Sequence, residues 1–244
     1  MRPRKIARAA VAALLLLASL PPASSAQQTA AAHTHGAQSK AIDLGNFVKE
    51  IMALKVEKGV QHLALWLPYE FFIATAMSDG NSTRAATETD MAALKPYVII
   101  AVQANRDLPD GTTKYQKESE VRVRAVLKLD DGTEIAPLAK MPPTLTEALA
   151  AMKAIISQQG GEDGANTFFL IFPNQTKTGK AAVNERQKDK LTLLLKADQS
   201  FRETAFTWYT PFDAVTSVPD CPKCKAGLSA KWTYCPYCGQ KLSH

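Results

Sequence analysis

From Ala41 to Pro219 the chain contains no cysteine and a single histidine, His62. Without cysteine there is no Cys-His nucleophile pair and no disulfide staple, so a core of about 180 residues must stand on apolar burial alone. The Gly-x-Ser-x-Gly elbow, the Gly-x-x-x-x-Gly-Lys phosphate loop, the His-Glu-x-x-His helix and Gly-x-Gly-x-x-Gly are all missing. Those absences exclude the enzyme classes that depend on them, though not every enzyme. Nor do the acidic turns supply oxygen ligands at the short fixed intervals of a calcium loop. No long apolar segment follows the first two dozen residues.

Those first residues carry a clear pattern. Arg2, Arg4, Lys5 and Arg8 precede an apolar run from Ala9 to Leu20, then Pro21-Pro22 and Ser24-Ser25-Ala26. Basic start, short apolar run and small residues predict a secretory signal peptide over 1–26, with cleavage after Ala26. The run is too short to span a bilayer, which needs about 20 residues. The expected product is exported, periplasmic or extracellular, with no transmembrane helix after cleavage. The whole chain has 29 Lys+Arg and 23 Asp+Glu, a net charge of +6. Four of those basic residues belong to the leader. From Gln27 to Pro219 there are 21 basic and 22 acidic residues. The basic isoelectric point therefore reflects the two ends and does not argue for a nucleic-acid-binding surface.

Residues 27–40, QQTAAAHTHGAQSK, read as a polar linker, with His33 and His35 solvated. The region 41–219 predicts one α+β domain. A helix is expected over 42–57, on the spacing of Leu44, Phe47, Val48, Ile51 and Met52, followed by a buried strand over 60–67. Helices over 69–77 and about 83–95 flank the turn Ser78-Asp79-Gly80-Asn81, and 97–105 is a strong strand. Alternation over 118–129 predicts a strand with Val121, Val123, Ala125, Leu127 and Leu129 inward and Arg122, Arg124 and Lys128 outward. Asp130-Asp131-Gly132-Thr133 makes a hairpin turn. Thr144-x-x-Glu147 predicts a capping box opening a helix with the stripe Leu145, Leu149, Met152 and Ile156, closed by Gly160-Gly161. Strands over 167–172, 190–196 and 201–209 complete the set. Strands joined by tight turns, with helices grouped, point to an antiparallel sheet or sandwich with packed helices.

Candidate chemistry in this region is sparse. His62 shares a strand face with Ala64 and Trp66, as a partly buried, satisfied histidine would. Asp79, Asp110, Asp130, Asp131, Glu162 and Asp163 fall in turns, where acids serve turn geometry. Two of them brought together by folding could act as acid and base, which is the route to an exported hydrolase. Trp66, Trp208 and Tyr209 are expected in the core.

Residues 220–244 hold all four cysteines, as CPKCKAGLSAKWTYCPYCG, with ten residues between the two Cys-x-x-Cys pairs. CPYC is spelled like a glutaredoxin site, but six residues after Cys238 leave no room for that fold. Two Cys-x-x-Cys disulfides are the rival expected of an oxidising compartment, yet such small bridges are strained, and proline and glycine at these positions favour a metal knuckle. The stretch resembles a short zinc ribbon of the CPxC…CPxCG kind over residues 221–242. The resemblance implies that Cys221, Cys224, Cys235 and Cys238 bind one structural Zn2+, with Trp232 and Tyr234 at the aromatic positions. Lys225 departs from it, standing where the first knuckle often has glycine; Gly239 follows the second pair as expected.

Together these features predict a non-catalytic binding or structural module of the bacterial envelope, capped by a zinc ribbon. Its partner would be a protein or envelope component, not nucleic acid, met by Lys223, Lys225, Lys231, Trp232 and Tyr237. The alternatives are the hydrolase with carboxylates assembled across turns, and a tail that buffers or senses zinc.

Overall fold

The computed structural model describes residues 42–78, 82–176, 178–199, 201–216 and 218–242. The leader, the linker with its two histidines, and Asp79 lie outside them. Helix α1 (Leu44–Ile51) is opened by Asp43, whose Oδ1 accepts the Asn46 amide at 3.0 Å. It ends sooner than its periodicity suggests. Strand β1 (Met52–Glu57) follows at once and pairs antiparallel with β2 (Val60–Leu67) through the two-residue turn Lys58-Gly59. Both turn residues have positive φ, 50° and 76°, which matches the tight hairpin turn that the twist of paired strands prefers. Lysine in that conformation hides the turn from a sequence reading.

Helices α2 (Tyr69–Met77) and α3 (Arg84–Asp90) and a 3-10 turn at Ala92–Leu94 lead to β3 (Tyr97–Asp107). β3 pairs with β2 along one edge; along the other it pairs with β7 (Phe168–Pro173) and then β4 (Thr113–Tyr115). The second sheet runs β6-β5-β8-β9, from β5 (Ala125–Leu129), β6 (Glu134–Ile135), β8 (Asp189–Leu195) and β9 (Thr204–Thr210). Every pairing is antiparallel.

The sheets face one another across a single hydrophobic cluster, with the rings of Trp66 and Trp208 6.0 Å apart. The second sheet shows clean alternation: Leu191, Leu193, Leu195, Phe206 and Trp208 are buried, and Lys190, Thr207 and Tyr209 face solvent. Tyr209, expected in the core, is thus exposed, because its neighbour Trp208 takes the inward position. On the first sheet both faces of β3 are buried. Gln103, on the face away from the second sheet, donates to Asp163 near the end of α5 (Pro143–Ala165) at 2.6 Å. The stripe of α5 forms as expected at Leu145, Leu149 and Met152, and Gly161 (φ 57°) breaks the helix one turn before its end. Its capping box does not form: Pro142 is the cap residue, and Thr144 already lies inside the helix.

The expected strand over 118–129 divides. Glu118–Arg122 is a short helix, α4, braced by a Glu118–Arg122 ion pair one turn apart, and only Ala125–Leu129 is strand. The basic stripe dissolves with it. Arg122 donates to Leu138 O and Phe169 O; Arg124 is buried against Asp198, Gln116 and Lys196 O; Lys128 alone faces solvent. Val123 is 83% exposed, the reverse of its expected place. A run of alternating charge and valine satisfies a strand period and a single helical turn equally well, and packing decides between them.

Candidate metal centre

The tail is built from two turns of the same design. In the first, Lys225 N donates to Cys221 O and Cys221 N to Ala226 O, both at 2.9 Å. In the second, Gly239 N donates to Cys235 O at 2.9 Å and Cys235 N to Gln240 O at 2.8 Å. Each cysteine pair is therefore turned back on itself by a matching pair of backbone bonds. The residue after each pair carries a positive φ, 73° at Gly239 and 60° at Lys225. Lys225 thus adopts the backbone that glycine would supply, at some steric cost. A bridge between Tyr234 and Lys241, with Leu242 N donating to Thr233 O at 2.9 Å, closes the second half.

This brings the four sulfurs together, all within 4.8 Å of one another. Cys221 Sγ and Cys238 Sγ are 3.6 Å apart, as are Cys224 Sγ and Cys235 Sγ. Four sulfurs at about 2.3 Å from one ion stand about 3.8 Å apart at the corners of a tetrahedron, so the spacing fits a shared metal. Cys221 and Cys235 are buried, Cys238 half-buried and Cys224 exposed. The backbone amides of Cys224 and Lys223 hold the Cys221 thiol down, while the Ala226 amide is outweighed at Cys224, whose thiol is pushed up by burial and by the neighbouring sulfurs.

The cluster is fastened to the sandwich. Glu50, on α1, accepts the amides of Asp213 and Ala214 and pairs with Lys231 at 2.5 Å. Asp213 Oδ1 in turn accepts Ala230 N at 2.8 Å. Lys231, expected to meet a partner, is therefore committed to the body. Lys223, Lys225 and Tyr237 are exposed, and Trp232 packs edge-on against Tyr237 with ring centres 6.4 Å apart.

Elsewhere the expected site residues have other duties. Asp110 accepts the amide and hydroxyl of Thr112, and Asp131 the amide of Thr133, as turn acids do. Asp163 holds Gln103 and the Tyr115 hydroxyl, each at 2.6 Å. His62 is buried more completely than expected and less well satisfied. Its Nδ1 is 3.4 Å from Thr204 Oγ1, and Nε2 has no hydrogen-bond partner. Burial, then the charge of Arg124, lowers its pKa, with Gln116 and Asp198 pulling the other way.

One cluster had no sequence signal. Glu185, on the loop before β8, accepts the amides of Tyr69 and Glu70 at the start of α2, at 2.7 and 2.9 Å. Glu70 is itself gripped by Arg84 and Arg186. These carboxylates cap a helix and neutralise arginines, which leaves them clasping the loop to α2.

No protein-family model and no curated protein sequence matches the chain. Among solved structures, a crystal structure of a DUF4426 family protein from Pseudomonas aeruginosa PAO1 is similar at 12% identity. The match covers 66% of this chain and 93% of that one, with a TM-score of 0.30, a likeness too loose to carry any conclusion. Among the described residues no helix is long and apolar enough to cross a membrane.

Proposed function

We propose that this is an exported, non-catalytic binding or structural module whose tail is a zinc ribbon holding one structural Zn2+ on Cys221, Cys224, Cys235 and Cys238. The observation that carries the metal reading is the convergence of four sulfurs within 4.8 Å on two matching turns. Four thiolates fill the tetrahedral positions of zinc and leave none for water, so the ion supplies rigidity and no reaction chemistry. Export rests on the basic-apolar-small pattern of residues 1–26. The partner is a protein or envelope component, and the exposed Lys223, Lys225 and Tyr237 offer it a basic-aromatic face on the cap.

The test is metal analysis of the full chain purified from the periplasm, with free thiols counted in parallel. One zinc per chain, with four thiols titrating only after chelation, supports the reading. A metal-free protein without free thiols would replace it with disulfides. Retention of the chain in the cytoplasm with residues 1–26 uncut would remove the export half.

A further inference from the structure

Strand β1 ends the first sheet on one side. β2 pairs with it along one edge, and among the described residues no strand pairs with the other. Glu57 and Val60 flank the two-residue turn and so exchange both backbone bonds. The alternation of an antiparallel ladder then makes Lys55–His62 and Ala53–Ala64 the next bonded pairs. The bond from Asp107 N to Gly59 O at 2.8 Å agrees, since it turns the alternate residues 59, 61 and 63 towards β3. Leu54 and Val56 are left with their N–H and C=O groups aimed outward from the free edge.

The same two residues are 53% and 65% exposed, on the sheet face opposite His62 and Trp66, where Leu63 beside Leu54 is half-buried. Free backbone groups and uncovered apolar side chains on one edge strand make a template for adding another strand. The second sheet leaves this stretch clear. It is tied to the first where Trp208 Nε1 donates to Ile51 O at 2.8 Å. Farther along, a cavity of about 480 Å³ with His62 in its lining separates residues 55–58 from residues 202–205.

The charges of β1 select what can be added. Lys55 and Glu57 share the face opposite Leu54 and Val56. Lys55 has no ion pair among the described residues, and a lysine in mid-strand guards an edge against unrelated strands. Glu57 meets Arg202 at 3.3 Å, both well exposed, a pair that solvent makes easy to exchange. A second copy of β1, laid antiparallel about a two-fold axis at Val56, answers both charges. Val56 then faces its own copy in a bonded pair. Each Lys55 stands opposite the partner's Glu57 in a non-bonded pair, where side chains approach most closely. Centring the axis on Lys55 would set two lysines against each other. Centring it on Leu54 would need the Met52 N–H, which is already donated to Val48 O.

We propose that β1 pairs with the β1 of a second copy of this chain, antiparallel about Val56, joining two five-stranded sheets into one continuous sheet. The ladder is short, because the chain turns away at Lys58, so the dimer is weak and forms between micromolar and millimolar concentration. The interface shares no residue with the cysteine cluster, and its failure would leave the metal reading standing.

The experiment is sedimentation velocity of the full chain across that range at low ionic strength, with backbone amide resonances followed in parallel. A reversible monomer–dimer equilibrium is expected, with concentration-dependent shifts centred on residues 54–58. Val56→Lys, at an exposed position, should abolish the dimer at unchanged melting temperature. Lys55→Glu and Glu57→Lys should each weaken it by about tenfold, since the two-fold axis repeats every like-charge contact. The double variant Lys55→Glu/Glu57→Lys should restore it, which only the register that sets 55 against 57 provides. A monomer at every concentration, shifts centred elsewhere, a dimer untouched by Val56→Lys, or a double variant as weak as the single ones would overturn the proposal.

Discussion

Lys231 Nζ lies 2.5 Å from Glu50 Oε2, and the same carboxylate accepts the amides of Asp213 and Ala214 at 3.0 and 2.9 Å. One side chain of the first helix thus joins the end of the sandwich to the cysteine-bearing tail. Both partners are largely covered, Glu50 at 18% and Lys231 at 29% side-chain exposure, so solvent screens this pair less than a surface pair.

Glu50→Ala should therefore loosen the tail. Three hydrogen bonds to a charged group are lost, and a cost of about 1–3 kcal/mol is expected, shared between the body and the docking of the tail. Hydrogen exchange should rise at Ala214, Ala230 and Lys231 while the amides of β3 stay protected. Metal content should not change, because Glu50 touches no sulfur.

Substituting any one of the four cysteines by serine should abolish stoichiometric zinc. Cys235→Ser tests the buried side of the cluster and Cys224→Ser the exposed side, with metal content and chromophoric zinc release as the readouts. The sandwich core should still melt cooperatively in both, since the cysteines lie outside its main hydrophobic cluster.

Lys225 offers a finer test. Its φ of 60° strains any residue with a Cβ, and Gly239 occupies the equivalent place in the other turn. Lys225→Gly should relieve roughly 0.5–1 kcal/mol and tighten zinc binding a few-fold in a competitive chelator titration. The matching change Gly239→Lys should weaken it.

Glu185 sets a pH dependence. The residue is half-exposed as a whole, but its carboxylate faces inward to the start of α2, where burial pushes its pKa up from 4.5 to about 7. The two amide bonds pull it down and the Glu70 charge adds to the rise. A raised carboxyl pKa stabilises the fold fully below the unfolded value and stops doing so as pH rises through the folded one. The urea midpoint should accordingly fall between about pH 5 and about pH 8, and Glu185→Gln should flatten that decline. A variant profile parallel to the wild type would mean that Glu185 is ionised throughout.

The cysteine cluster was the most legible feature, because Cys-x-x-Cys spacing fixes local geometry whatever lies around it. Strands β2 and β3 were nearly as clear, being long apolar runs bounded by proline, glycine or turn residues. In the sequence β1 merges with the helix before it because Met52 continues the helical spacing, while the hairpin that captures it depends on Lys58 taking a backbone usually given to glycine. The alternation of its neighbours points Arg124 outward; only the fold supplies the Asp198 and Gln116 that let it be buried. The cleft beside His62 and the Glu185 clasp join residues more than a hundred positions apart, and nothing local foretells either.

Each of the two sulfur contacts of 3.6 Å joins one turn to the other rather than the two cysteines within a turn. An ion lost under oxidising conditions would leave Cys221 Sγ 3.6 Å from Cys238 Sγ and Cys224 Sγ 3.6 Å from Cys235 Sγ. Air and oxidoreductases would then knit two nested rings, one inside the other, with the turns still face to face. Peptide mapping of the metal-stripped, oxidised chain should recover those two crosslinks, so that the tail trades its ion for staples of the same topology and keeps its grip on the sandwich.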